Sequence, residues 1–175
     1  MSEDIVDIYT KERKPTGRTA VRYTDLGPGN HRLVIHICIF NPRNEMLIQK
    51  RVAGKKSFPG YWDVSVGGGV SSGETTQIAA ERELKEELGL DHVFDTAPAI
   101  TLDTHDVFDD FFVMNLDIDT SELALQKEEV ESARWASFEE IMFMMDSGEF
   151  IPYHKGLIDY LFHLGRNGLT EYTKD

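Results

Sequence analysis

Apolar and polar residues alternate along most of this chain with the period of two that marks strands, and the period lengthens to that of a helix in three places. Residues 4–9 alternate weakly, meet a polar turn at 11–17 and resume at 18–23, which predicts an N-terminal hairpin ahead of the Gly-Pro-Gly loop at 26–30. Residues 31–41 are rich in β-branched side chains. Val34, His36, Cys38 and Phe40 face one way, and Leu33, Ile35, Ile37 and Ile39 the other, so a strand apolar on both faces belongs at the centre of a sheet. A turn at 41–44 returns a second strand over 45–51, and a short strand at 63–66 runs into Gly67, Gly68 and Gly69. Ala80, Leu84 and Leu88 then form the apolar stripe of a helix that Gly89 ends, with Leu90 placed to pack back on it. Two more strands are expected at 99–104 and 108–117, joined around His105 and Asp106, then a polar loop at 119–128 and a strand at 130–136. Ser137 with Glu140 three residues on predicts a capping-box helix ended by Gly148. The last helix is expected over 153–164, with Leu157, Tyr160, Leu161 and Leu164 as its core stripe and a polar tail from Gly165. Strands around one helix with further helices at the end predict a layered α/β domain.

Composition bounds what such a domain can do. At 175 residues with 41% hydrophobic side chains, the chain suffices for one domain over residues 1–175, with 1–30 as a hairpin extension and 165–175 as a tail. A net charge of −13 argues against a long nucleic acid as partner, since such binding relies on Lys and Arg. It leaves open a small phosphorylated ligand, because a bound metal ion inverts the local sign. The single cysteine, Cys38, suits a reducing compartment. No apolar run nears the about 20 residues that span a bilayer, and the N-terminus has no basic region followed by an apolar one, so no membrane is expected and the cytoplasm is the default location.

Candidate chemistry concentrates in residues 68–90. Glu83, Glu86 and Glu87 stand at i, i+3 and i+4 and share one arc of the predicted helix, with Ala79 on the same face leaving room there. Like charges at that spacing cost a helix about 0.2–0.5 kcal/mol per pair, so the cluster calls for a positive partner. A hard divalent cation such as Mg²⁺, held by carboxylate oxygens and sharing its other positions with water and phosphate, meets that need. The glycines ahead of the helix are expected in a turn with positive φ that lets backbone approach the metal or a phosphate. Lys50, Arg51, Lys55 and Lys56 form the main basic cluster; Arg51 is preferred for phosphate because its planar fork grips two oxygens. The aromatics at 58–62 fit core or loop packing better than ligand stacking.

The spacing from Gly68 through Glu74 to Arg82-Glu83-Leu84-Lys85-Glu86-Glu87-Leu88-Gly89-Leu90 resembles the Nudix box, G-x5-E-x7-R-E-U-x-E-E-x-G-U with U aliphatic, and no specified position is missing. The resemblance implies an α/β/α sandwich with a mixed sheet between helices. It implies Mg²⁺ or Mn²⁺ held by Glu83, Glu86, Glu87 and the carbonyl of Gly68, Arg82 orienting Glu86, and Glu74 as outer support. The implied reaction is attack of water on a diphosphate linkage in a nucleoside diphosphate derivative or related organic pyrophosphate; the basic cluster just ahead of the box would put Arg51 and Lys50 on the substrate. The resemblance leaves room for a homodimer. A general base could be Glu86 or Glu87, or Asp109, Asp110, Glu128, Glu129 or Glu131 outside the box.

Residues 40–51 and 55–69 are also similar to the corresponding part of isopentenyl diphosphate isomerases, which are Nudix-related. Those carry a catalytic Cys in a Cys-Gly-His sequence, where this chain has Gly67, Gly68 and Gly69. His31 and His36 fall near, though out of register with, the metal-binding histidines of the isomerases. The missing thiol and the complete box favour a hydrolase over an isomerase. A nucleotide sensor that does not turn its ligand over is the third alternative.

Overall fold

Strand β3 (Asn30–Phe40) is the hub of the computed structural model, which describes residues 4–167. Strand β8 (Val107–Asn115) runs parallel along one edge, with Arg32 opposite Val107 and Phe40 opposite Asn115. Strand β6 (Val66–Gly69) runs antiparallel along the other, from Val34 opposite Gly69 to Ile37 opposite Val66. Strand β7 (Ile100–Thr104) folds back onto β8, and the turn at His105 has a φ of 59°. Strand β4 (Met46–Arg51) leaves β3 through the expected turn and is flanked by β9 (Val130–Ala136) and the two-residue β5 (Trp62–Asp63). The N-terminal hairpin, β1 (Ile5–Thr10) and β2 (Pro15–Val21), joins the start of β3 through Tyr9 opposite His31. One parallel pairing among antiparallel ones makes the sheet mixed.

The alternation along β3 divides the core in two. Leu33, Ile35, Ile37 and Ile39 pack with Ala79, Ala80, Leu84 and Leu88 of α1 (Thr76–Leu88). Cys38 and Phe40 face the opposite layer, which holds α2 (Phe138–Asp146) and α3 (Lys155–Asn167) through Ile141, Met144, Ile158, Leu161 and Phe162. This is the expected sandwich.

Several local expectations change. Gly67, Gly68 and Gly69 form strand rather than turn, and none has a positive φ; the left-handed glycine before α1 is Gly73, at 84°. Ala79 is fully buried in the core instead of facing a cleft. The final helix begins at Lys155, and Ile158 takes the core position expected of Tyr160, which is exposed. That helix also runs past Gly165, where a Cβ would stand 2.4 Å from Cγ of Phe40; close helix–strand contact, not chain ending, explains this glycine. The rest of the expected tail, 168–175, lies outside the described residues, as do residues 1–3. Within the expected loop at 119–128, Thr120–Glu122 form a 3₁₀ turn.

Both ends of α1 are secured, and the second end matters for the site. Thr75 caps the start by accepting from the Ile78 amide. At the finish Gly89 takes the left-handed conformation, φ 73°, and the amides of Gly89 and Leu90 reach the carbonyls of Lys85 and Leu84. The carbonyls of Glu87 and Leu88 accept from Gln126 and Ala124, each at 3.1 Å. The loop after β8 is thereby docked on the helix terminus.

Candidate active site

The three glutamates occupy graded depths along α1. Glu87 is buried, and its Oε2 accepts from Nε2 of Gln49 on β4 at 2.9 Å and from the Gly67 amide at 3.4 Å. Burial first, then the charge of Glu83, push its carboxyl up to about 8. Glu83 lies over Gly68: a Cβ there would stand 2.1 Å from the Glu83 carboxyl carbon, so absence of a side chain, not φ, is what the position requires. Burial raises the Glu83 carboxyl as well, against the opposing hydrogen bond from Arg82. Glu86 is half-exposed at the helix surface.

Arg82 ties these groups together. Its Nη1 donates to Glu83 at 2.8 Å and to Glu86 at 3.1 Å, its Nε and Nη2 grip both oxygens of Glu74 at 2.8 and 2.9 Å, and Nη2 also reaches the Gly69 carbonyl. The fork holds Glu74 below its ordinary pKa, helped by the Ser71 amide.

Glu83, Glu86 and Glu87 form one wall of an open cleft of about 380 Å³. Arg22 from the hairpin and Lys55 and Lys56 from the loop after β4 line it as well, and Glu128 and Glu129 arrive on the loop docked to α1. Four cationic side chains face six carboxylates there, so the bare cleft would repel a polyphosphate. Among the described residues no three His, Cys, Asp or Glu side chains converge as a ready metal shell; Arg82 spans Glu83 and Glu86 instead. The donors nonetheless suit a hard divalent cation. They are all oxygen, burial drives two of them toward the neutral form that a bound cation would reverse, and Gly68 leaves the space Glu83 needs.

The NUDIX domain family model matches residues 30–155. The chain belongs to the Nudix family. It is 43% identical over 165 residues to an uncharacterized Nudix hydrolase of Listeria monocytogenes, covering 94% of this chain and 96% of that one. An isopentenyl-diphosphate Delta-isomerase of Salmonella heidelberg is 29% identical over 150 residues, 81% of each chain. A solved protein of Deinococcus radiodurans shares the fold with a TM-score of 0.73 at 22% identity, over 90% of this chain and 98% of that one.

Within this Nudix fold the basic residues sort differently from expectation. Arg51 is buried, and its guanidinium holds the carbonyls of Ser57 and Phe58 and the carboxylate of Asp63. Lys50 pairs with Glu131 of β9 at 2.7 Å. Neither lines the cleft; Arg51 instead braces the loop that delivers Lys55 and Lys56. None of Phe58, Tyr61 and Trp62 lines it either. Asp110 is held by Arg13 and Thr101, and Asp109 by His36 and Thr104, so both are engaged away from the cleft. His31 pairs with Asp103 and stacks on Phe108, while His36 stacks on Phe111; neither reaches the cleft. Arg22 and Gln49 had no sequence signal, since neither lies in a motif and only the strand pairings bring them to α1.

Proposed function

We propose that this Nudix hydrolase cleaves a diphosphate linkage in a small phosphorylated compound, a nucleoside diphosphate derivative or related organic pyrophosphate, by attack of water at phosphorus. What carries the proposal is the convergence of Glu83, Glu86 and Glu87 with Arg22, Lys55 and Lys56 on a single cleft. Glu83, Glu86 and Glu87, with the Gly68 carbonyl, would hold Mg²⁺ or Mn²⁺, which when bound neutralises phosphate charge and lowers the pKa of water. Gln49 orients Glu87, Arg82 positions Glu83 and Glu86, and Glu74 keeps Arg82 in place. Glu128 is the general base. It is exposed at the cleft with no ion-pair partner among the described residues, whereas Glu129 is tied to Lys55. Its carboxylate takes the proton of the attacking water.

The isomerase alternative finds little support in the cleft. Cys38 lies on the α2–α3 side of the sheet, fully buried, and burial holds its thiol protonated. No helix among the described residues is long and apolar enough to cross a membrane. The one cysteine, Cys38, is buried and unpaired, which suits a reducing, cytoplasmic setting.

The test is a panel of nucleoside diphosphates and triphosphates, nucleotide sugars, dinucleotides and isopentenyl diphosphate incubated with Mg²⁺. Phosphate-containing products are expected from at least one member. Glu87→Gln is expected to lower that rate roughly 10²-fold or more while the circular dichroism spectrum is kept. A near-normal rate in the variant at saturating Mg²⁺ would overturn the assignment of the carboxylates, and ligand binding without any product would favour a sensor.

A further inference from the structure

We propose that the β1–β2 hairpin is the specificity element of this enzyme, with Arg22 and Lys56 gathered at Tyr23 to clamp a free terminal phosphoryl group. The preferred substrates are then organic compounds ending in an uncapped di- or triphosphate, not diphosphates esterified at both ends. The inference rests on the hydrolase function proposed above.

The hairpin precedes the matched residues 30–155, yet it supplies part of the cleft. Arg22 follows the last residue of β2, and its guanidinium lies against Gly69, where a Cβ would stand 2.6 Å from Cζ. The next glycine back, Gly68, carries Glu83, so a cation is set one residue from the carboxylate wall. Tyr23 is held at a φ of 70°, a conformation costly to a bulky residue and one that marks functional positions when the surroundings enforce it. Its half-exposed ring takes Arg22 Cζ and Lys56 Nζ, each 5.1 Å from the centroid. Two like charges are thus collected on one ring from separate segments. Lys56 has no carboxylate partner among the described residues, and Arg22 has Asp4, half-exposed at 3.0 Å. An anionic group bound at this ring would give Lys56 the counter-charge it lacks and compete with Asp4 for Arg22.

The size of the group follows from the rest of the lining. Tyr23 is the one aromatic side chain among the described residues of the cleft, and the two cations already engage it. No apolar wall is left for a second base or a sugar beyond the phosphates. The polar, charged lining suits the phosphates and offers the organic part little to bind.

The experiment is calorimetric titration of the full chain in Mg²⁺ with methylenediphosphonate, which cannot be hydrolysed at its bridge, and with its dimethyl ester capped at both ends. The free form is expected to bind at least about tenfold more tightly than the capped one. Arg22→Gln and Lys56→Gln are each expected to lose about tenfold or more for the free form and little for the capped form. Tyr23→Phe should bind as wild type and Tyr23→Ala should not. Asp4→Asn should bind more tightly, because it removes the competing carboxylate; a purely structural Arg22–Asp4 pair would instead lower the melting temperature in both variants and leave binding alone. Equal binding of the two probes, or unchanged binding in Lys56→Gln, overturns the clamp whatever the hydrolysis panel shows. Clamp-dependent binding with no turnover of any substrate overturns the hydrolase function and leaves the clamp standing.

Discussion

At Glu87 burial and function oppose each other. The unfolded chain ionises this carboxyl near 4.5, and the folded, metal-free protein holds it up to about 8, so its protonated form favours folding. That contribution is complete below about 4.5 and is lost as pH rises toward 8. In chelator the melting temperature should therefore fall across this window. Excess Mg²⁺ should remove most of the fall, and Glu87→Gln should flatten it; thermal melts at several pH values check all three. Helix geometry made the acidic arc legible at this scale, since i, i+3, i+4 spacing fixes a shared face whatever the rest of the chain does. It did not reveal that Gly68 serves Glu83. Nor could strand position say that Arg51 would turn inward, because the carbonyls of Ser57 and Phe58 that capture it belong to a loop with no pattern of its own.

For elements, the ends proved easier to read than the neighbours. The glycine that ends α1 and the capping box of α2 follow from local residue chemistry and appear where expected, whereas the Thr75 cap is a finding of the structure alone. The expected core stripe of α3 has Tyr160 in place of Ile158 because both fit an apolar period, and only packing on the sheet chooses between them. Docking of the 120–129 loop on the α1 terminus has no sequence signature, yet it brings Glu128 to the cleft. Gly89→Ala tests that link. A Cβ would stand 2.6 Å from Cβ of Ala124, at a φ of 73° that already disfavours alanine. The variant is expected to lose about 2 kcal/mol in urea denaturation, and kcat to fall about tenfold or more as Glu128 shifts.

Across the whole molecule, the fold class was legible and the strand order was not. Both-sided burial of β3 announces a layered sheet, but the cleft draws on the hairpin, the loop after β4, α1 and the loop before β9, which no single window contains. The hairpin is held to the sheet by the ion pair of Arg13 with the fully buried Asp110, which also accepts from Thr101 at 2.6 Å. Arg13→Ala would strand that carboxylate without its cation. A loss of about 3 kcal/mol is expected by urea denaturation, the low end for a broken buried pair because Arg13 is partly exposed.

The parallel pairing of β3 with β8 also sets an order of events during synthesis. Every antiparallel partner that β3 takes comes from residues before 70, whereas β8 begins at Val107. Until a ribosome has delivered that segment, the central strand keeps an open edge of isoleucine, cysteine and phenylalanine. The growing chain is therefore most exposed to sticky, off-pathway association between the completion of α1 and the arrival of β8, and the cell must protect or outpace that interval.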